Sequence, residues 1–229
     1  LAGQTERYGR IRVWGSVGFI VSVLGLGALL DHLPVAAILW IILAILASVL
    51  ASTLTLEETV VGAGGTAPSV ADQLRRPAVI ALLAACFFMS VAHGPLYVFY
   101  SIHLVDHGYG KTAIGMLWSL GVLAEIVVFM TMPRLIHRFS LRGILLASFA
   151  LAVLRFLLIG WAADFPLALL LAQLLHGATF GAYHAAAMAV LIRWFDPAQQ
   201  ARVQGLYGSI SFGAGGMVGG LISGEAWGR

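Results

Sequence analysis

The sequence predicts an all-α membrane protein, on the evidence of its composition and of its regularly spaced apolar segments. Of the 229 residues, 60% are hydrophobic and only 10% are charged, and the mean hydropathy is +0.95. Soluble domains carry about 25% charged residues, so this chain lacks the polar side chains that would cover a water-soluble surface. Bilayer-spanning helices need about 20 apolar residues. The segments that qualify are 12–31, 34–55, 77–101, 112–132, 142–162, 166–193 and 204–223.

Polar gaps separate these segments and carry signals that end helices. The first two segments are divided by "DHLP", and the last five by "DHGYGKT", "RFSLRG", "ADFP" and "WFDPAQQ". Gly and Pro in such gaps stop helices. The long gap 57–76 is rich in Gly, Ala and Thr and predicts a flexible cytoplasmic linker between domains. The polar start of the chain is not a signal peptide, and Leu1 in place of Met indicates a fragment.

The basic residues predict the orientation of the chain in the membrane. Ten of them fall on one side of the predicted spans, whereas only Lys111 and Arg229 fall on the other. The ten are Arg7, Arg10, Arg12, Arg75, Arg76, Arg134, Arg138, Arg142, Arg193 and Arg202. Because loops rich in Arg and Lys stay in the cytoplasm, we expect the chain to start there, in the cytoplasmic (inner) membrane.

An internal repeat predicts two parallel halves. Segment 13–30 resembles 206–223, with Gly, Ser, Phe and Gly matched at an offset of 193 residues. Five spans lie between them, so the period is six helices. We therefore expect 1–56 to hold the last two helices of an N-terminal half and 77–229 the first five of a C-terminal half. The whole protein would have about twelve helices, four before residue 1 and one after residue 229. The "GAGGMVGG" run at 213–220 predicts close helix packing.

Ionisable residues within the apolar segments are the candidate functional residues. At about 1.5 Å per residue, Glu125 lies roughly 20 Å deep, His176 about 15 Å and Arg155 roughly 10 Å. These depths suggest a ladder with His176 between the carboxylate and the guanidinium. Since a charge facing lipid at mid-helix costs about 2.5–3.5 kcal/mol, we expect these groups to face a wet cavity.

Two interpretations of these residues stay open. In one, Glu125 and Arg155 form a structural ion pair between helices. In the other they are a coupling site, because a carboxylate and an imidazole exchange protons near neutral pH and Arg binds carboxylates or hydroxyls. His184 is expected to form a hydrogen bond within the bundle.

Other classes of function fit the sequence less well. The pI near 9.4 comes from scattered charges, so we expect no nucleic-acid partner. No nucleophile–base pair indicates an enzyme, and we expect no cofactor or metal. His103 and His107 are four residues apart, but a solvated loop explains them better than a metal site. A seven-helix receptor is disfavoured by the cytoplasmic N-terminus, and a retinal pump by the lack of a Lys in the last helix.

Three stretches together resemble the major facilitator superfamily, most closely its proton-symporter branch that contains the phenylpropionate and lactose permeases. They are "YGRIRVWGSVGF" (8–19), "PRLIHRFSLRGILLASFALAVLR" (133–155) and "LLHGATFGAYHAA" (174–186). The resemblance implies alternating access by a monomer, with Arg12, Arg155 and His176 as substrate-binding residues.

The sequence also departs from the lactose permease pattern. Thr179 and Val122 stand where that permease has its proton-site and sugar-binding Glu residues. Glu125 then becomes the proton carrier, together with His176. The resemblance implies proton symport of a small organic solute such as an aromatic acid. A drug-type proton antiporter and a sugar or nucleoside symporter of the same fold are the alternatives.

Overall fold

The computed structural model describes residues 5–30, 33–34, 36–55 and 69–227. The side chains of residues 5–13 and of Ser16 lie outside this description. The helices are α1 (Thr5–Leu30), α2 (Ala37–Thr53), α3 (Ala71–Leu74), α4 (Pro77–Asp106), α5 (Lys111–Arg138), α6 (Leu141–Trp161), α7 (Pro166–Trp194) and α8 (Pro197–Trp227).

Each of the seven predicted spans is a helix in the structure. Helices α4 to α8 are long and apolar enough to cross a membrane. Helix α1 has a shorter apolar stretch, Val17–Leu30, and α2 has 17 residues, the lower end of the spanning range. The predicted linker is described only in its last part, where α3 forms a single helical turn.

Two helices run beyond the ends of the predicted spans, and each contains a proline. Helix α4 contains Pro95 and runs to Asp106, whereas the sequence predicted an end at residue 101. Helix α5 continues past the predicted end at residue 132 and through Pro133 to Arg138. In a membrane a helix tolerates proline because neighbouring helices and local turns satisfy the freed backbone groups.

Glycines allow the helices to approach closely. A Cβ atom on Gly94 of α4 would lie 2.6 Å from the backbone of Gly219 in α8. A Cβ atom on Gly177 of α7 would lie 2.6 Å from the carbonyl oxygen of Ala124 in α5. The close packing predicted for 213–220 is therefore confirmed, because larger residues would separate these backbones.

The apolar core has two parts, with polar residues between them along the helices. In α4, Met89 belongs to the core nearer the linker and Leu96 to the core on the far side, with His93 between them. In α6, Arg155 lies between Ala152 of the linker-side core and Ile159 of the far-side core. Helices α5 and α7 repeat this order with Glu125 and with His176. The four helices therefore carry one buried polar layer at about the same level.

Candidate functional site

The candidate site is this polar layer, which we define by six buried side chains from four helices. They are His93 of α4, Glu125 of α5, Arg155 of α6, and Gln173, His176 and Thr179 of α7. Polar side chains in a membrane core are costly unless they pair with one another or carry a function. Their pairing therefore decides what the layer can do.

Arg155 is fully buried, with an exposed fraction of 0%. Its Nε donates to the carbonyl oxygen of Ala172 at 3.0 Å, and its Nη1 lies 3.5 Å from the hydroxyl oxygen of Thr179. The Nη2 atom has no hydrogen-bond partner in the described part of the chain. The guanidinium carbon lies 5.6 Å from the centre of the Phe156 ring, which is cation–π distance.

The remaining partner of Arg155 is His93, which the sequence analysis missed. The Nε2 atom of His93 lies 3.4 Å from Nη1 of Arg155, and its Nδ1 atom lies 2.8 Å from the carbonyl oxygen of Met89. The signal was present, because His93 is an ionisable residue inside the apolar segment 77–101. The rule that selected Glu125 and His176 would have selected it too.

Glu125 and His176 face each other between α5 and α7. Oε2 of Glu125 lies 3.8 Å from Nε2 of His176, and the two residues are 8% and 6% exposed. Nδ1 of His176 has no hydrogen-bond partner among the described residues. A carboxylate beside an imidazole can share a proton with it, because a carboxylate oxygen and an imidazole nitrogen can each accept one.

The geometry disfavours one of the two open interpretations of these charges and corrects one expectation. Glu125 and Arg155 form no ion pair in the described part of the chain, so the structural bridge between them is absent. Arg155 does not line an open cavity, because Ala172, Thr179 and His93 enclose it. His176 does lie beside Glu125, as the depth estimate suggested.

Helix α7 departs from regular α-helical geometry where it carries the site. Residues Gly177–Ala182 form a π-helical turn, and Thr179 lies within it. Such turns within α-helices often occur at functional sites. A Cβ atom on Gly121 of α5 would lie 2.8 Å from Oε1 of Gln173, whose Nε2 donates to the hydroxyl of Tyr100. The missing side chain at Gly121 therefore leaves room for the polar face of α7.

Aromatic rings surround the polar layer. The Phe180 ring stacks on the His176 ring with centres 5.3 Å apart, and it lies 6.2 Å from the His93 ring. On the far side, the rings of Tyr97 and Trp118 stack at 6.3 Å. These rings give the layer apolar faces next to its charges.

The other predicted residues lie outside this layer. Nδ1 of His184 forms a 3.0 Å hydrogen bond with the hydroxyl of Tyr207, as expected for a contact within the bundle. Nε2 of His103 is 3.0 Å from the carbonyl oxygen of Ile159. His107 lies near Asp164 at 3.9 Å, and the described residues contain no cluster of metal-ligating side chains. The side chain of Arg12 lies outside the described residues.

An apolar cavity of about 600 Å³ lies beside the layer, between α4, α6 and α8. Pro95, Phe99, Phe156 and Trp227 are among its lining residues. None of Glu125, Arg155 and His176 lines it, so we do not identify it with the candidate site.

Comparisons with known proteins agree on one family. The model of the MFS_1 like family matches residues 1–229. The chain is 31% identical over 213 residues to the "Probable 3-phenylpropionic acid transporter" of Escherichia coli K12, covering 90% of this chain and 55% of the relative. It is 28% identical to the "Maltose permease" of Geobacillus stearothermophilus, covering 98% of this chain and 58% of the relative. It is 24% identical to the "Nucleoside permease NupG" of Escherichia coli K12, covering 94% of this chain and 56% of the relative.

The chain spans about half the length of these curated relatives. No solved structure matches it.

Proposed function

Because the chain belongs to the MFS_1-like family of the major facilitator superfamily, we propose that it is part of a secondary active transporter of small organic solutes. It is a multi-pass membrane protein. In this proposal, α1 and α2 end the N-terminal half and α4 to α8 begin the C-terminal half. The two halves rock about a site at the level of the polar layer, which opens it to each side of the membrane in turn.

The solute that fits the layer best is an organic anion. The observation that carries this proposal is the state of Arg155, which is fully buried, has an unpartnered Nη2, and is joined by no carboxylate in the described residues. A buried charge without a counter-charge costs several kcal/mol. A carboxylate on the solute would provide that counter-charge and accept hydrogen bonds from Nη2.

An aromatic group on the solute is supported by the rings beside the charge. Phe156 lies against the guanidinium of Arg155, and Phe180 lies between His93 and His176. Rings of a solute would gain stacking contacts there. The relative from Escherichia coli that is named for 3-phenylpropionic acid agrees with this choice, so that acid is the first solute to test.

Protons are proposed as the coupling ion, with Glu125 as their carrier and His176 as its partner. The pair is buried, and its 3.8 Å separation leaves room for a proton on either group. Arg155 remains positive throughout, because guanidinium groups do not lose their proton in proteins. In this proposal, Arg155 binds the charge of the solute and the Glu125–His176 pair carries the proton.

A neutral sugar or nucleoside is the second candidate. The stacked rings of Tyr97 and Trp118 offer a flat apolar face of the kind that packs against sugars and bases. Two relatives are named as permeases for maltose and for nucleosides. Export in exchange for protons would use the same parts and is distinguished by the direction of transport.

The orientation proposed is the one that the basic residues predict. The N-terminus of this chain and the 57–76 linker would face the cytoplasm, and the membrane would be the cytoplasmic one. A single-cysteine label introduced at Ser140, between α5 and α6, would react only from the cytoplasmic side. A label introduced at Gly108 would react only from outside.

The test uses the whole protein in proteoliposomes that contain a pH-sensitive dye. Adding 3-phenylpropionate outside should acidify the interior, and Glu125→Gln and Arg155→Lys should each abolish the signal. Maltose and a nucleoside serve as the alternative solutes. Transport without proton movement, or variants that behave like the wild type, would contradict the coupling proposal.

A further inference from the structure

The polar layer contains one histidine, His93, that neither the proton pair nor the solute anchor explains. It is 3% exposed and lies in the middle of α4. We infer that His93 is a positioning residue that holds the Arg155 guanidinium without neutralising it, so that the site selects anionic solutes. This inference rests on the proposed function and deepens it.

The partners of the His93 ring fix which of its nitrogens carries the proton. Nδ1 lies 2.8 Å from the carbonyl oxygen of Met89, which can only accept a hydrogen bond. Nδ1 is therefore the protonated nitrogen, because a bare nitrogen there would face another acceptor. Nε2 then carries a lone pair, and this lone pair points toward Nη1 of Arg155 at 3.4 Å.

Packing keeps the ring in this orientation. Phe156 meets the His93 ring edge-on, with centres 5.1 Å apart, and the Tyr97 and Phe180 rings lie at 6.2 Å. A flip of the imidazole would give up the bond to Met89 and turn the Cε1–H group, which accepts no hydrogen bond, toward Nη1 of Arg155. The ring therefore presents its lone pair to Arg155 whether or not a solute is bound.

His93 therefore offers Arg155 a hydrogen-bond acceptor, Nε2, that carries no negative charge. A carboxylate at this position would form an ion pair with Arg155 and remove its attraction for an anion. An apolar side chain would leave Nη1 with the distant Thr179 hydroxyl alone. Neutral histidine avoids both outcomes, because it orients the guanidinium and leaves its full charge for the solute.

Three substitutions at one position separate charge from shape. His93→Gln places a neutral amide oxygen near the site of Nε2, His93→Glu places a charged oxygen of the same size there, and His93→Leu places no acceptor there. His103→Glu is the matched control, because it lies on the same helix but contacts the Ile159 carbonyl outside the layer. Uptake by the whole protein in proteoliposomes is measured for 3-phenylpropionate and for its neutral amide, with KM and maximal rate determined separately.

We expect His93→Gln to keep the KM for the acid within about twofold of the wild type. His93→Leu should raise the KM for the acid roughly tenfold, the value of one charged hydrogen bond, and leave that of the amide unchanged. His93→Glu should raise the KM for the acid roughly ten- to hundredfold and reverse the preference between acid and amide. The control should keep the wild-type preference. A His93→Glu protein that still prefers the acid would overturn the inference.

Folding and function are checked separately. Gln and Glu differ only in charge, so their comparison stands even if His93→Leu fails to fold. If the wild type moves neither acid nor amide, the proposal of an aromatic acid as the solute fails, and the nitrogen chemical shifts of His93 decide on its role beside Arg155. A neutral ring protonated at Nδ1 is expected. An imidazolium, or a ring protonated at Nε2, would overturn the inference whatever solute the protein carries.

Discussion

His176 and His93 occupy the same polar layer, but they face opposite charges. His176 lies beside the carboxylate of Glu125, whereas His93 lies beside the guanidinium of Arg155. Next to a carboxylate, an imidazole has a partner that can give or take a proton. Next to a guanidinium it can only accept a hydrogen bond. In the proposed function, the neighbour and not the residue type therefore decides whether a buried histidine exchanges protons or positions a charge.

The largest effect is expected from removing the charge of Arg155, which lies beside His93. Arg155→Leu should lower the affinity for 3-phenylpropionate about a hundredfold, because a buried charge-assisted pair with the solute is lost. The variant should still fold. No carboxylate among the described residues forms an ion pair with Arg155, so the substitution leaves no carboxylate without its partner. Uptake kinetics measure the effect, and size-exclusion chromatography in detergent checks the fold. Wild-type uptake by the variant would mean that Arg155 has no part in solute binding.

Removing the charge of Glu125, which lies beside His176, should affect the accumulation of the solute and not the affinity for it. A pH difference of one unit sustains about tenfold accumulation by a symporter that carries one proton. Glu125→Gln should accumulate no solute against its gradient, although exchange of labelled for unlabelled solute continues because it requires no net proton movement. Accumulation and exchange are measured in the same vesicles. If exchange is lost together with accumulation, Glu125 belongs to the solute site and the contrast between the two histidines breaks down.

A smaller effect is expected where α5 and α7 hold Glu125 next to His176. Gly177→Ala would place a Cβ atom 2.6 Å from the Ala124 carbonyl oxygen, so the helices have to separate. We expect a loss of stability of about 1–3 kcal/mol, the usual cost of overpacking, seen as a lower melting temperature in detergent. Gly160→Ala is the matched control, because nothing lies within 4 Å of its added Cβ. Equal melting temperatures for the two variants would show that this helix contact tolerates expansion.

The smallest effect is expected at the edge of the layer. Tyr100→Phe removes the hydroxyl that accepts a hydrogen bond from Gln173. Hydrogen bonds between membrane helices contribute about 0.6 kcal/mol on average, so the melting temperature should fall only slightly and uptake should persist. A loss of uptake as large as that of Arg155→Leu would place Gln173 in direct contact with the solute.

The helices, the family and the buried charged residues could be predicted from the sequence. All seven predicted spans are helical, and the resemblance to the major facilitator superfamily is confirmed by the family match. The family match and the relatives named as a transporter and as permeases support the proposed transport function. Glu125, Arg155 and His176 lie away from lipid, as expected of ionisable residues in apolar spans, but Arg155 is enclosed and does not face the wet cavity that the sequence predicted. The six-helix repeat and the roles of these residues stay predictions.

The pairings could not be predicted, because depth along a helix does not say which helices are neighbours or which faces meet. Depth along the helices predicted that His176 lies between Glu125 and Arg155. In the structure, the histidine in contact with Arg155 is His93 of α4. The π-helical turn at Gly177–Ala182 was also unpredicted. It packs against α5 and α6, and no local sequence pattern records such contacts.

The most direct measurement is equilibrium binding of 3-phenylpropionate and of its amide to the whole protein, with Arg155→Leu alongside the wild type. If a buried, unneutralised guanidinium anchors the solute, the wild type should bind the acid at least about tenfold more tightly than the amide, and Arg155→Leu should bind both alike. Equal binding of acid and amide by the wild type, or the same preference in Arg155→Leu, would contradict an anion site at Arg155.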